Sequence, residues 1–270
     1  MQAPSASVIA QAHSPLQLLP SLELAGAWQM AIDAWMLEQR RPLLRLYRWR
    51  RPTLSLGHHQ RRLEPCWLAL ARSGAIELVR RPSGGRAVLH GGDLTYALVW
   101  PEAGGNREQV YRQACGWLQQ AFAAFGQPLR FGRQAASSQR SSCFALSTAA
   151  DLVHGDGRKR VGSAQLWRQG CLLQHGSIQL EPAAALWQQL FGVAPPSLAP
   201  LPLAGRQLEA ALIESAGAWL PLACGGIQPT SLRPEDLARI SRLAVGFQVD
   251  LASPEATIER TTGARASPSG

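Results

Sequence analysis

The sequence Arg-Arg-Pro-Ser-Gly-Gly-Arg-Ala-Val-Leu-His occupies residues 80–90 and separates two apolar segments. Residues 76–79 and 94–100 are rich in side chains that suit strands, so we expect the paired glycines in a turn that joins paired strands. Glycines tolerate positive φ and let backbone N–H groups approach a ligand, and arginines offer guanidinium groups to a carboxylate or phosphate. Two interpretations stay open: an anion cradle, or a Gly-Gly hairpin whose arginines are solvated.

Composition narrows the class of protein. The chain has 270 residues, of which 46% are hydrophobic, enough for a core in one large domain or one domain with a small appendage. We find no apolar run long enough to span a membrane and no signal-peptide pattern, so we expect a cytoplasmic protein. The five cysteines include no Cys-x-x-Cys pair, which argues against a disulfide framework or a zinc site. The net charge of +9 indicates an acidic partner, either nucleic acid or protein, although no recognition-helix or zinc-finger pattern is present.

Apolar residues at helical spacing predict several helices. The spacing between Val110 and Phe125 predicts a helix that Gly126 ends. An earlier helix is predicted from Leu24 to Trp35, with Ser21 as its N-cap. Further helices are predicted at residues 182–191, 208–220 and 234–245, with a Pro-rich connector at 192–205.

Strand patterns occupy the middle of the chain. Residues 43–49 and 53–57 predict two short strands, and the adjacent histidines 58 and 59 after them form a poor chelating pair that lines a pocket mouth instead. A three-stranded meander is predicted at residues 151–153, 158–167 and 171–180. Its second strand carries Gly162, Ser163 and Ala164, small residues that allow close approach of a backbone, just after Lys159.

Cys143 follows a polar segment at residues 132–142. Nearby arginines and backbone N–H groups lower a thiol pKa and favour the nucleophilic thiolate, so Cys143 is either a nucleophile or an incidental cysteine. The other cysteines, Cys66, Cys115, Cys171 and Cys224, lie in apolar surroundings and are predicted in the core.

Three motifs together resemble the lipoate and biotin ligase-like acyltransferases, which include lipoate–protein ligases and octanoyltransferases. The resemblance covers most of residues 22–180 and rests on Arg80 to His90 followed by Leu94-Thr95-Tyr96, on Lys159 to Gln165, and on Gln174 to Ser177. It implies an α/β (α+β) fold, with a mixed or antiparallel sheet flanked by helices. The domains are then a flexible leader at 1–20, a catalytic domain at 21–191, a connector with C-terminal helices at 192–250, and a disordered tail at 251–270.

The resemblance also implies a set of site residues. Ser141-Ser142-Cys143-Phe144 is similar to the cysteine-dependent octanoyltransferase branch, although the next residues, Ala145-Leu146-Ser147-Thr148, depart from the pattern of that branch. Cys143 and Lys159 are the implied catalytic residues. The implied acyl- or carrier-binding residues are Arg80, Arg81, Gly84, Gly85, His90, Gly162, Ser163, Ala164, His175 and Gly176; core or turn positions stay open for the two histidines.

The implied reaction passes an octanoyl group from acyl carrier protein to Cys143 and then to a lysine of a lipoyl domain. The acceptors implied are lipoyl domains of 2-oxoacid dehydrogenase complexes or the glycine cleavage H protein, with no nucleic acid, membrane, metal or cofactor. The alternative within the family is an ATP- and Mg²⁺-dependent lipoate ligase that needs no nucleophilic cysteine. A biotin ligase is disfavoured because its Gly-Arg-Gly-Arg-type loop is absent. From another class, a noncatalytic module that binds lipoyl domains or nucleic acid remains an alternative.

Overall fold

The computed structural model describes residues 14–132 and 151–252. Its strands are β1 (Leu16–Leu18), β2 (Leu22–Leu24), β3 (Leu43–Trp49), β4 (Thr53–Leu56), β5 (Glu77–Arg80), β6 (Val88–His90), β7 (Asp93–Trp100), β8 (Arg130–Phe131), β9 (Asp151–Val153), β10 (Lys159–Arg168), β11 (Cys171–Gln179) and β12 (Ile227–Pro229). Its α-helices are α1 (Gly26–Gln39), α2 (Pro65–Arg72), α3 (Arg107–Ala124), α4 (Ala184–Phe191), α5 (Gly205–Trp219) and α6 (Pro234–Ala244).

A large mixed sheet organises the molecule. Its strand order is β12-β1-β3-β7-β11-β10-β9-β8, and β2 also pairs with β3. The central strands β3, β7, β11 and β10 are antiparallel, whereas β1 and β2 run parallel to β3. A smaller sheet has the order β5-β4-β6. The predicted α/β class, with a mixed sheet flanked by helices, is confirmed.

The two faces of the large sheet carry different layers. On one face, α3 and α5 cover a core that includes Tyr96, Trp117 and Phe122. On the other face, α1 and α6 cover a second core that includes Trp35 and Tyr47. The small sheet packs with α2 and α4 around Trp67 in a third core. Because the small sheet approaches the same face as α1, a space lined by both sheets forms at their junction.

Local patterns predicted most of the central elements. The helix at α3 begins where the Asn106 side chain accepts a hydrogen bond from Gln109 N (2.8 Å), and Gly126 follows its end with φ of 72°. The meander β9–β10–β11 and the helices α4, α5 and α6 also lie where their periodicity places them. These predictions are confirmed to within a few residues at the ends of each element.

The pairing predicted around the glycine segment is wrong. The strands before and after it belong to different sheets, since β5 pairs with β4 and β7 pairs with β3 and β11. The segment 81–87 instead crosses from β5 to β6, which flank β4 on opposite sides, parallel and antiparallel respectively. A turn between strands that do not pair with each other needs no hairpin geometry. Gly85 packs against Gly57 with φ of 96°, whereas a Cβ on Gly84 would meet nothing within 4 Å.

The start of the chain also differs from expectation. Leu16–Leu18 form a strand inside the stretch predicted as a leader, because Leu16 is fully buried and pairs with the C-terminal Ile227. Ser21 caps no helix: β2 follows it, and α1 begins only at Gly26, after Ala25. Among the helices in residues 14–132 and 151–252, none combines the length and apolar character needed to cross a bilayer.

Two cysteines are on the surface, contrary to the prediction of core positions. Cys66 and Cys224 are exposed, whereas Cys115 and Cys171 are buried as predicted. Cys66 precedes the buried Trp67 on α2, and neighbouring helical residues point in directions about 100° apart. An apolar neighbour in sequence therefore does not bury a helical residue.

Candidate active site

A cavity that is partly open to solvent lies at the junction of the two sheets, and the space in the cavity and its mouth together is about 480 Å³. Residues from four neighbouring strands of the large sheet form one wall, and β4, β6 and the glycine segment form the other. Eight of the twelve predicted site residues line it: Arg81, Gly85, His90, Gly162, Ser163, Ala164, His175 and Gly176. Met30, Tyr47, Trp49, Ser55, Val88, Thr95 and Ser177 complete the lining. Three motifs that are distant in sequence thus surround one cavity.

His175 is fixed at both ring nitrogens. Its Nδ1 lies 2.7 Å from Asp33 Oδ2, and its Nε2 lies 2.5 Å from Ser83 Oγ. An ionised carboxylate accepts hydrogen bonds only, so Nδ1 carries a proton, and in the neutral ring Nε2 accepts from the Ser83 hydroxyl. Because Ser83 belongs to the glycine segment and His175 to β11, this contact ties the segment to the large sheet.

Asp33 is the centre of a buried charge network on α1. Its Oδ1 accepts from Arg45 Nε (3.0 Å) and Nη2 (2.5 Å), and its Oδ2 also accepts from Tyr47 Oη (3.1 Å). Burial raises the pKa of Asp33, but the Arg45 guanidinium and His175 outweigh burial and hold that pKa below its ordinary value. Asp33 is therefore ionised and keeps the His175 ring in one tautomer and one orientation.

His90 is held in the same manner on the opposite wall. Its Nδ1 lies 2.8 Å from Asp93 Oδ2, and its Nε2 lies 2.9 Å from Ser55 Oγ. Its ring stacks on Trp49, with centroids 4.0 Å apart. Burial raises the pKa of Asp93, but His90 and a hydrogen bond from Ser177 (2.6 Å) outweigh it, so the pKa of Asp93 is below its ordinary value.

Arg81 supports the glycine segment from inside. Its guanidinium donates to the carbonyl oxygens of Gly84 (2.8 Å), Arg86 (2.7 Å) and Ser55 (2.9 Å). Gly85 has φ of 96°, which a side chain rarely adopts, and a Cβ on Gly57 would lie 1.8 Å from Gly85 O. The segment thus packs directly on the end of β4. Arg81 therefore stabilises the segment and is not a solvated arginine, whereas the anion cradle stays a prediction.

Small residues on β10 and β11 are required by close packing. A Cβ on Gly176 would lie 2.5 Å from Ser163 Oγ and 2.6 Å from Tyr96 Cε1. Ser163 Oγ in turn is 2.8 Å from Tyr96 Oη. Gly162 and Ala164, next to Ser163, leave the cavity wall without large side chains on this strand. The small residues therefore make room for a ligand along β10.

Lys159 forms a buried ion pair with Asp151, whose Oδ1 lies 2.8 Å from Lys159 Nζ. The two side chains are only 2% and 4% exposed. Lys159 is not part of the cavity lining, but Asp151 is the register partner of the cavity residue Gly162 across the β9–β10 ladder. Directly opposed residues of antiparallel strands share a face, so the ion pair lies beside the β10 end of the cavity.

The remaining predicted residues lie elsewhere. Arg80 donates to the carbonyl oxygens of Gly57 (3.2 Å) and Gln60 (2.5 Å), outside the cavity. Gly84 lines a separate open groove of about 1310 Å³, together with the exposed histidines His58 and His59. The prediction that these two histidines lie at a pocket mouth agrees with this position. Cys143 lies outside the described residues.

Several residues that line the cavity or contact its lining were missed by sequence analysis. Asp33 is a lone acidic residue in the apolar segment Ala31-Ile32-Asp33-Ala34, and that isolation was the available signal. Ser55, between two leucines on β4, and Trp49 carried no signal beyond strand propensity. Within residues 14–132 and 151–252, no group of three His, Cys, Asp or Glu side chains is arranged to hold a metal ion.

Residues 25–196 match the family model of the lipoyl protein ligase A/B catalytic domain. Among curated relatives, Octanoyltransferase LipM of Kyrpidia tusciae is 36% identical over 181 residues, covering 61% of this chain and 66% of that protein. Octanoyltransferase LipM of Moorella thermoacetica is 39% identical over 165 residues, covering 56% of this chain and 60% of that protein. The matched part of this chain thus spans just under two thirds of each relative.

Solved structures share the fold. A lipoate-protein ligase A bound with ATP superposes with a TM-score of 0.70 at 18% identity, covering 86% of this chain and 95% of that chain. The bipartite lipoate protein ligase of Thermoplasma acidophilum superposes with a TM-score of 0.67 at 16% identity, covering 90% and 95%. At such identities the likeness concerns the fold alone. Since the family model matches more than half of its length, this chain belongs to the lipoyl protein ligase A/B catalytic domain family.

Proposed function

We propose that this protein transfers an octanoyl group from an acyl carrier protein to the lysine of a lipoyl domain, through a thioester on Cys143. The observation that carries the proposal is a cavity between the two sheets, partly open to solvent, beside the buried Lys159–Asp151 ion pair. The curated relatives, which are octanoyltransferases, support this acyl group and this reaction. The net charge of +9 favours encounter with acidic carrier proteins.

The cavity suits the acyl tail. Burial of a methylene is worth about 0.8 kcal/mol, so the six methylenes of an octanoyl group contribute about 5 kcal/mol. The tail lies between the two sheets in our proposal, with its carbonyl end near Gly162 and Ala164 on β10. No bulky side chain on that strand blocks the approach, because the residues there are small.

The chemistry proceeds in two acyl transfers. The Cys143 thiolate attacks the carrier thioester, and the tetrahedral intermediate expels the carrier thiolate, which takes up a proton. The acceptor amine then attacks the Cys143 thioester, loses a proton and leaves with the acyl group as an amide, regenerating the thiolate. The Lys159 ammonium, positioned by Asp151, stabilises the negative charge that develops on the carbonyl oxygen. No nucleotide enters either step.

The test is intact-protein mass spectrometry with octanoyl-acyl carrier protein and no ATP. We expect one octanoyl adduct on the wild type, no adduct on Cys143→Ser, and transfer of the adduct to an added lipoyl domain. Lys159→Met retains Cys143 but removes the ammonium, so we expect acylation to slow by about 100-fold or more, in the range that loss of an oxyanion donor causes. Modification of the lipoyl domain only with ATP and free acid would instead establish a ligase.

Binding without catalysis is a separate outcome. A protein that merely binds lipoyl domains forms a complex in the same mixture but gives no mass gain on either partner. Exposed thiols supply the control, because Cys66 and Cys224 are exposed and remain in the Cys143→Ser variant. An adduct on that variant would show that acylation is unspecific and would remove the support for a Cys143 thioester.

A further inference from the structure

Ser55 is a hydroxyl on the cavity wall that the proposed transfer reaction does not use. It lies at the centre of β4, the middle strand of the small sheet, and its Oγ is 2.9 Å from His90 Nε2. Although Ser55 is only 1% exposed, it is part of the cavity lining. A small molecule inside the cavity therefore contacts Ser55.

His90 is arranged as a general base for Ser55. Its other nitrogen, Nδ1, lies 2.8 Å from Asp93 Oδ2, so the carboxylate holds the proton on Nδ1 and leaves Nε2 as an acceptor. Asp93 is itself fixed by hydrogen bonds from Ser177 (2.6 Å) and Thr95 (3.0 Å). Ser55, His90 and Asp93 are thus arranged as in serine hydrolases, where histidine Nε2 faces the serine hydroxyl and Nδ1 faces the carboxylate.

A buried cation completes the arrangement. Arg81, which is 6% exposed, places Nη1 3.4 Å from Ser55 Oγ and 2.9 Å from Ser55 O. Arg81 also lines the cavity. This positive charge favours the negative charge that develops on Ser55 Oγ as the hydroxyl loses its proton.

Ser83 provides an internal comparison. Its Oγ lies 2.5 Å from His175 Nε2, and His175 Nδ1 lies 2.7 Å from Asp33 Oδ2, so this serine–histidine–aspartate relay repeats the contacts of the Ser55–His90–Asp93 relay. Both serines are buried, but Ser55 is part of the cavity lining and Ser83 is not. The two relays therefore share their hydrogen bonds and differ in access to the cavity, which makes the Ser83 relay structural.

From this geometry we propose that Ser55, His90 and Asp93 form a second catalytic centre, which hydrolyses esters and thioesters whose acyl chain enters this cavity. Ser55 Oγ bonds to the carbonyl carbon while its proton passes to His90 Nε2. The tetrahedral intermediate expels the alcohol or thiol, which leaves with that proton. Water then attacks the acyl-serine, His90 takes a water proton and returns it to Ser55, and the carboxylic acid is released. The activity is independent of Cys143 and thus of the proposed transfer.

The experiment uses Cys143→Ala protein, so that the other proposed nucleophile is absent. A fluorophosphonate probe reacts with a serine activated in this way, losing fluoride and forming one covalent phosphonyl adduct. We expect a single adduct, which peptide mass spectrometry locates on Ser55. Ser163 and Ser177 line the same cavity without a histidine contact and serve as internal controls that stay unmodified.

Hydrolysis of p-nitrophenyl butyrate is measured in the same protein. Adding Ser55→Ala or His90→Gln is expected to lower the rate by about 100-fold or more, as loss of a nucleophile or general base does. The adduct site is read in protein that retains Ser55 and His90, so it does not depend on the folding of either variant. An adduct on any other serine, no adduct, or hydrolysis that survives Ser55→Ala would overturn the proposal.

Discussion

Removal of the Asp33 carboxylate is the perturbation whose size the structure defines best. Arg45 and Asp33 are 2% and 0% exposed, and the carboxylate accepts two hydrogen bonds from the guanidinium. Asp33→Ala leaves Arg45 buried without its counter-ion, which costs about 3–5 kcal/mol. For domains of this size each kcal/mol lowers Tm by about 2–4 °C, so we expect a decrease of about 6–20 °C.

Differential scanning calorimetry measures the effect, and an exposed ion pair supplies the control. Asp156 and Arg158 are about half exposed, so Asp156→Ala is expected to leave Tm unchanged. Asp33→Asn keeps the size of the side chain and is expected to fall between wild type and Asp33→Ala. Equal Tm values for Asp33→Ala and Asp156→Ala would refute the reasoning, because Arg45 would then have found water or another partner.

Trp49, Asp33 and Cys115 each give a further prediction. Trp49 lines both the cavity and a second cleft, so Trp49→Ala is expected to join the two spaces and extend acyl acceptance from octanoyl towards dodecanoyl, read as adduct masses with mixed acyl donors. The pKa of Asp33 is lower in the folded protein than its unfolded value of 3.8, so ionised Asp33 stabilises the fold above pH 3.8. This contribution is lost as the pH falls through the folded pKa. The free energy of unfolding, measured in urea, is therefore expected to differ less between pH 3 and pH 6 in Asp33→Asn than in the wild type. Burial raises the pKa of Cys115 to about 12, so iodoacetamide at pH 8 is expected to spare Cys115 until the protein unfolds, as peptide mapping checks.

Periodicity predicted those elements whose faces are set locally. In α3 and in the β9–β10–β11 meander, the helical or strand periodicity of the sequence predicts which residues are buried. Short turns then pair each strand of the meander with the next strand in the chain. The partners of β4 are not local in this sense. Its neighbours β5 and β6 come from opposite ends of the glycine segment, and strand propensity alone does not choose between pairing across that segment and pairing with β4.

The site residues that lie within a sequence motif could be predicted, whereas those that are brought together only by folding were missed. Gly162 and Gly176 stand out in sequence because strands rarely contain glycine without a packing reason. The roles of Asp33 and Asp93 depend on histidines that fold against them, and Asp33 lies 142 residues before His175. The isolation of Asp33 in an apolar segment marks it in the sequence, but its partner is identified only when the sheets are assembled; Asp93, by contrast, lies three residues after its partner His90.

The two relays explain why the cavity has a fixed shape although its walls come from separate sheets. Hydrophobic contact between sheets is not directional, so by itself it permits sliding. Ser83 on the glycine segment and His175 on β11 join the two walls at one side, while His90 on β6 reaches Asp93 on β7 at the other. Because each bond is buried and one partner of each relay is an ionised carboxylate, displacement of either wall leaves an unpaired buried group and is strongly opposed. The polar residues of the cavity therefore set its dimensions, and its apolar residues supply the affinity for an acyl chain.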